Sequence, residues 1–151
     1  MSVKPSLNML LDFAQKKSDA SAIKLVQLTT QLNAATEKLN LLLQYRDNYQ
    51  SRFQNDSQQS IRHHEWINFI AFMEKLDAAI TEQRKNVLAT QTNKDAVVKE
   101  YQDYQRKVKS YHTLSQRYLR IETQQAMKHD QTEQDEFAAN ISFHQKAKHN
   151  A

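Results

Sequence analysis

The chain has 151 residues and contains no Gly, no Cys and a single Pro, at position 5. Tight turns depend on Gly and Pro, so strand-rich and α/β folds are disfavoured, and the lack of Cys excludes disulfides and thiolate metal sites. The formal net charge of +4 permits contact with an anionic partner but does not predict it.

The first predicted element is a helix over about residues 5 to 54. Steps of three and four residues connect fourteen positions from Leu7 to Phe53, and nine of these are large and apolar. A repeat sustained over this length predicts a coiled-coil seam. Pro5 suits the first turn of this helix, where the missing N–H is not needed.

A polar bend is predicted next, over about residues 55 to 62. The segment QNDSQQS, residues 54 to 60, contains Asn, Asp and Ser side chains that bond locally to the backbone and compete with a helix. Ser57 or Ser60 is the expected N-cap of the following helix.

The second helix is predicted over about residues 63 to 140. Its seam connects sixteen positions from Trp66 to Tyr118, and twelve of these are large apolar or aromatic. Polar residues at a seam cost stability but fix the register of the two helices. Three of them weaken the middle of this seam: Gln83, Thr90 and Lys94.

The apolar stripe of the second helix thins beyond Leu119. The segment HDQTEQDE, residues 129 to 136, is almost wholly polar, and its acidic residues predict a solvated helix face. We therefore expect a frayed tail over about residues 141 to 151.

The predicted fold class is all-α, a long antiparallel two-helix coiled coil forming one domain over residues 1 to 151. Two helices joined by a short bend run antiparallel, which makes a helical hairpin. With the bend centred near residue 60, Phe53 is expected to meet Trp66, and Leu39 to meet Ile80. At 1.5 Å per residue the first helix alone is about 75 Å long.

The second helix has more large apolar side chains near its start than one seam uses. The segment EWINFIAFMEKLDAAI, residues 65 to 80, places Phe72 and Ala79 on the flank of the seam that faces Tyr45 of the first helix. Their expected neighbours at the seam are Leu42, Tyr49 and Leu76. This edge is a candidate binding surface. The alternative is that it thickens the two-helix core or packs against a third helix in a homo-oligomer.

Two segments resemble a known family. LLLQYRDNY, residues 41 to 49, followed after the polar bend by WINFIAFMEKLDAAI, residues 66 to 80, resembles FliJ, the coiled-coil component of the bacterial flagellar type III export apparatus. The resemblance covers nearly the whole chain in length, bend position and helix layout. It implies a hairpin similar to the central-stalk subunit of rotary ATPases, with a mechanical or allosteric role and no enzymatic activity.

The resemblance also implies the partners. They are the hexameric flagellar export ATPase, whose assembly or activity the stalk promotes, the cytoplasmic part of the membrane export gate, and the chaperones of flagellar substrates. The gate-binding residues carried over by position are Leu42, Tyr45, Tyr49, Phe72, Leu76 and Ala79. The family pattern has Gln and His where this chain has Lys38 and Gln83, so these two positions are not carried over.

A second surface is expected near the two termini, where the first helix before about Leu25 and the second helix after about Tyr111 would enter the pore of the ATPase ring. Its cations would meet acidic pore loops; the alternative is an ordinary solvated helix face. The candidate ring contacts are Leu11, Lys16, Lys17, Arg117 and Arg120.

No pattern in the sequence predicts catalysis. Without Gly there is no phosphate-binding loop, so the chain is not expected to be the ATPase itself. His63, His64 and Glu65 are adjacent and diverge around a helix, unlike the i, i+4 pair that binds zinc. We expect no catalytic residue, no cofactor and no metal.

Two other functions remain open. One is a general coiled-coil chaperone or adaptor that holds partner helices. The other is a nucleic-acid binder that uses the basic stretch 106 to 120, although its tyrosines fall on the seam and nucleic acid is therefore not expected. Apolar runs such as Leu41 to Leu43 are far shorter than the ~20 residues that span a bilayer. The expected location is the cytoplasm, peripherally at the inner membrane at the flagellar base.

Overall fold

The computed structural model describes residues 5–56 and 62–149 and contains two helices, α1 over Pro5–Asp56 and α2 over His63–His149. No strand occurs in these two ranges. The two long helices pack against each other, which confirms the predicted all-α hairpin.

The helix starts follow from local backbone chemistry. Pro5 is the first residue of α1, as predicted. At the start of α2, the carbonyl oxygen of Arg62 accepts hydrogen bonds from the backbone N–H groups of Glu65 at 3.1 Å and Trp66 at 3.3 Å. The carboxylate of Glu65 lies in this first turn, where the helix dipole favours negative charge. The predicted caps Ser57 and Ser60 lie outside the described residues.

The end of α2 differs from expectation. A frayed tail was expected from about residue 141, but the helix continues to His149. The segment beyond Leu119 lacks Gly and Pro and is rich in Gln, Lys, Glu and Ala, which have high helix propensity. Lys146, Lys148 and His149 occupy the last turn, where cations complement the helix dipole.

The contacts divide the chain into two compact units. The central unit comprises the described residues of Ser18–Gln102, and the terminal unit combines those of Met1–Lys17 with those of Asp103–Ala151. Each unit therefore contains a segment of both helices.

The core of the central unit lies at the predicted seam. Met73, Leu76 and Ile80 form a buried cluster on α2. The partly buried side chains packed against it are Leu39, Leu42, Leu43, Tyr49, Phe69 and Phe72. All fourteen predicted seam positions of α1, across the two units, are buried or half-buried. Period-3.5 patterning thus identified the buried face correctly.

The helices of the central unit run antiparallel. Ring contacts join Phe53 to Trp66, as predicted, with centroids 5.6 Å apart. Further along, the Nε2 group of Gln83 donates to the backbone carbonyl of Ala35 at 2.9 Å. Positions thus descend on α1 as they rise on α2. The side chain of Gln83 is buried, so this bond holds the register, as expected of a polar residue at a seam.

The terminal unit has a much thinner core. Leu7 and Ala14 of α1 are its buried residues among those described. On α2, Tyr104, Val108 and Tyr111 are half-buried. Beyond Ser115, every described residue of α2 except Glu122 is exposed. Tyr118, predicted as the last seam position, is therefore exposed, because its apolar stripe ends there.

Candidate functional site

Six residues of the central unit make up the aromatic edge that the sequence predicted: Leu42, Tyr45, Tyr49, Phe72, Leu76 and Ala79. Steps of three and four residues place each helix's contribution on one face of that helix. The antiparallel pairing brings the two contributions together.

Phe72 is the centre of the aromatic edge. Its ring lies 4.4 Å from that of Tyr49 between centroids. The ring of Tyr45 approaches it edge-on at 6.0 Å. Such edge-to-face geometry is favourable because the positive ring edge meets the negative ring face. The three rings therefore form one contiguous aromatic cluster within the chain.

Burial changes across the edge. Leu76 is 7% exposed, whereas Tyr45 is 55% exposed. Tyr49 and Phe72 lie between these limits, and Ala79 is exposed. Phe72 therefore has two roles, since it packs against the core cluster and also contributes to the surface. The edge offers a partner a pre-ordered apolar surface with a polar tyrosine hydroxyl group at its border.

An aromatic stack extends from this edge toward the start of α2. Phe53 stacks on Phe69 at 3.8 Å, and Tyr49 stacks on Phe69 at 5.5 Å. The sequence had placed Trp66 on the seam, but it is 49% exposed. Trp66 lies only three residues after the start of α2, so few described neighbours cover it. Ile67 and Ile70, which the seam did not use, are also exposed.

On the flank of the two-helix seam opposite the aromatic edge, the two helices are joined by a polar contact. The Nε group of Arg46 donates to the Oδ1 atom of Asp77 at 2.6 Å across the two helices. The hydrogen bond and the charge of Asp77 raise the pKa of Arg46 above its ordinary value. Sequence reasoning missed this pair. A charged residue at a seam position, with an acid on the facing flank, was the available indication.

Gln83 does not belong to the exposed surface. Its amide is buried and bonded to α1. Lys38, the other position that was not carried over, is exposed. The aromatic edge therefore ends near Ala79 and does not extend to position 83.

The five candidate ring contacts all lie in the terminal unit. Lys16 pairs with Asp12 at 3.1 Å, and the ammonium group of Lys17 lies 5.5 Å from the ring of Phe13. Leu11 is half-buried. Arg117 and Arg120 are exposed. The two arginines are thus the more available cations.

Arg117 also borders an open surface hollow of about 510 Å³. Its other lining residues are Arg106, Lys109, Ser110, Thr113 and Leu114. The hollow combines three cations with an apolar side chain. This basic surface lies within the basic stretch 106 to 120 that the sequence indicated and extends beyond the five candidate ring contacts.

Among the described residues, no group of three or more His, Cys, Asp or Glu side chains could hold a metal ion. No helix in the same part of the chain is long and apolar enough to cross a membrane.

Comparison with known proteins decides the family. A family model described as "Flagellar FliJ protein" matches residues 3–147. The chain belongs to the FliJ family. The Flagellar FliJ protein of Salmonella typhi is 27% identical over 133 residues, which cover 88% of this chain and 90% of that protein. The Flagellar FliJ protein of Escherichia coli K12 is 26% identical over the same shares of the two chains.

FliJ membership confirms the family predicted from the two quoted segments. FliJ proteins are components of flagellar protein export, so this chain is a component of that export system. The matched range includes all of α1 and all but the last two residues of α2. It therefore covers both candidate surfaces, the aromatic edge and the basic surface of the terminal unit.

Proposed function

We propose that this FliJ-family chain is a non-enzymatic stalk of the flagellar type III export apparatus. It inserts into the ring of the export ATPase and promotes ring assembly or turnover. It also links the ATPase to the cytoplasmic part of the membrane export gate and escorts substrate chaperones. Its place is the cytoplasm, peripherally at the inner membrane at the flagellar base.

The observation that carries the gate contact is the geometry of the aromatic edge. Phe72 is fixed between Tyr45 and Tyr49, yet the edge remains partly exposed. Binding hot spots are enriched in aromatic residues whose order is established before association, because little side-chain entropy is then lost. An apolar segment of the gate would cover this edge.

The terminal unit supports the contact with the ATPase. Arg117 and Arg120 are exposed cations on one helix segment and would meet acidic loops of a ring pore. A stalk inside a six-fold ring presents different side chains to different subunits. Unequal contacts bias the subunits toward different conformations, which is how a protein without catalytic groups can change ATP turnover.

The gate contact is tested with purified full-length chain and the cytoplasmic domain of the gate. We expect Phe72→Ala to weaken binding at least about tenfold, since central aromatic residues dominate such interfaces. Leu88→Ala is the control, because Leu88 is an exposed leucine of α2 outside the aromatic edge. Circular dichroism checks that both variants remain helical. Equal binding by the two variants would contradict the gate contact.

The ATPase contact is tested by adding the chain to the purified export ATPase and measuring ring assembly and ATP turnover. The unchanged chain should raise both, and Arg117→Glu with Arg120→Glu should reduce the effect. The charge-matched control is Lys24→Glu with Lys99→Glu, two exposed lysines of the central unit. If the unchanged chain has no effect, the adaptor function is favoured over the stalk.

The adaptor function has one observation of its own in its favour. Beyond Ser115, α2 exposes Leu119, Met127 and Phe137. A helix with uncovered apolar side chains could hold a partner helix. Binding of a substrate chaperone that is lost on removal of residues 122 to 151, with ATPase stimulation unchanged, would separate this role from the stalk.

A further inference from the structure

The part of α2 that belongs to the terminal unit has two blocks of opposite charge. Residues 104 to 121 contain five Lys or Arg and no Asp or Glu. Residues 129 to 136 contain four Asp or Glu and no Lys or Arg. All the charged side chains of both blocks are exposed. The segment therefore presents a basic surface and an acidic surface along one helix.

An apolar stripe lies along the same helix. Successive steps of three or four residues put these positions on one helix face. They are Leu119, Thr123, Met127, Asp130, Gln134, Phe137 and Ile141. The four apolar members are all exposed. Toward the N-terminus of α2 the same face continues through Gln116, His112 and Lys109, which are exposed, whereas Val108, Tyr111 and Ser115 on the seam are half-buried. The face is thus distinct from the one that α1 covers.

We infer that this face pairs with the same face of a second copy of the chain, antiparallel, about a two-fold axis near Thr123. In that register Leu119 of each copy lies opposite Met127 of the other. Residues 129 to 136 of each copy, which form the acidic block, then lie opposite residues 110 to 117 of the other, the part of the basic block that contains Arg117. The two-fold axis makes every contact twice.

Charge decides the direction of pairing. A parallel pair would place like charges side by side, which is destabilising, whereas the antiparallel pair joins opposite charges at both ends. Among the described residues, Arg117, Arg120 and Asp130 have no ion-pair partner within the chain. Glu133 has only His129, at 3.1 Å. These side chains are available to a second copy.

The paired segments extend from about residue 105 to residue 141, which is about 55 Å of helix at 1.5 Å per residue. Few positions on this face are apolar, and much of the attraction comes from exposed charges. The pair is therefore weak, reversible and sensitive to salt, since exposed charges are screened within about 10 Å at 0.1 M ionic strength. It needs neither the export gate nor the ATPase.

Sedimentation equilibrium of the full chain, alone and in mixtures, tests the pairing. One variant reverses the basic block, Arg117→Glu with Arg120→Glu, and the other reverses the acidic block, Asp130→Lys with Glu133→Lys. We expect each variant alone to associate at least about tenfold more weakly than the unchanged chain. An equimolar mixture should associate as strongly as the unchanged chain, because opposite charges then face each other at both ends.

Lys24→Glu with Lys99→Glu is the matched control and should leave association unchanged, since both lysines lie outside the two blocks. Circular dichroism confirms helicity for each variant. A chain that stays monomeric at about 100 µM in a buffer of low ionic strength, where exposed charges are least screened, would overturn the inference. So would a mixture that fails to recover association. If only the basic-block variant loses association, the basic block contacts a different acidic region of the second copy and the antiparallel register is wrong.

Discussion

The two units of this chain use the same pair of helices differently. In the central unit, α2 buries Met73, Leu76 and Ile80 against large side chains of α1. In the terminal unit, the buried residues of α1 are Leu7 and Ala14, and α2 beyond Ser115 is almost entirely exposed. Large apolar residues at consecutive seam positions give the first arrangement. In the second arrangement the stripe of large residues on α2 ends at Tyr118, and polar residues such as Glu122 and Gln125 continue the seam positions.

This difference in packing suggests that the central unit mainly stabilises the fold and the terminal unit mainly binds partners. Burial of apolar side chains is the main source of folding free energy, so the central unit should hold most of it. The terminal unit has exposed cations, exposed leucines and long stretches of solvated helix, which suit reversible contacts with partners. Its helical state depends more on local propensity than on packing.

Native-state hydrogen exchange tests this contrast most directly and should show the largest effect. Amides of α2 between Met73 and Val97 should be protected about a thousandfold more than those after residue 122, because unpacked helix opens locally at little cost in free energy. Mass spectrometry of peptides from the full chain would measure both ranges in one sample. Uniform protection along α2 would show that the terminal unit is as stable as the central one.

Two matched substitutions that shorten a side chain to Ala should give the next largest effect, on the free energy of unfolding. Ile80→Ala should lower the free energy of unfolding by about 3 kcal/mol, since it removes apolar contacts and leaves a cavity. Leu119→Ala should change it by at most about 0.5 kcal/mol, because this leucine is on the surface. Ile80 is 6% exposed and Leu119 is 57% exposed. Urea denaturation followed by circular dichroism compares them, and similar losses would place Leu119 in a core.

Two neighbouring serines provide the smallest and sharpest test. Ser18 and Ser21 are both fully buried, but the Oγ atom of Ser21 has no hydrogen-bond partner among the described residues, whereas Ser18 has one within the chain. Ser21→Ala should raise the free energy of unfolding by about 1 kcal/mol, because an unpaired buried hydroxyl group is removed. Ser18→Ala has the same gain in helix propensity, but it also removes the interaction that the Ser18 side chain makes within the chain, so its gain in the free energy of unfolding should be smaller. An equal gain from both would mean that Ser21 is satisfied in solution.

The fold could be predicted because apolar residues recur at regular steps along the sequence. Fourteen positions of α1 repeat at steps of three and four, and the structure covers all of them at least in part. The pairing of Phe53 with Trp66 followed from the same repeat and the position of the bend. The absence of Gly disfavoured the strand-rich and α/β classes. The aromatic edge followed from the flanking heptad positions, and the structure brings Tyr45, Tyr49 and Phe72 into contact.

Other features could not be derived from periodicity. The extension of α2 to His149 depends on the helix propensity of its residues. The periodicity of apolar residues does not report this propensity, so the thinning stripe wrongly suggested that the helix ends earlier. Heptad assignment alone does not reveal that Arg46 leans toward Asp77, since a long side chain at a seam can turn to either flank. The exposure of Trp66 depends on how close it lies to the start of α2.

The buried amide of Gln83 has a mechanical consequence for the central unit. Sliding one helix along the other would pull this amide from the carbonyl oxygen of Ala35 and would stretch the pair between Arg46 and Asp77. A displaced amide would then lack a partner in a dry interface, so shear between the helices is resisted from its onset. An axial load applied at one end of this unit would therefore be transmitted with less slippage between its two helices.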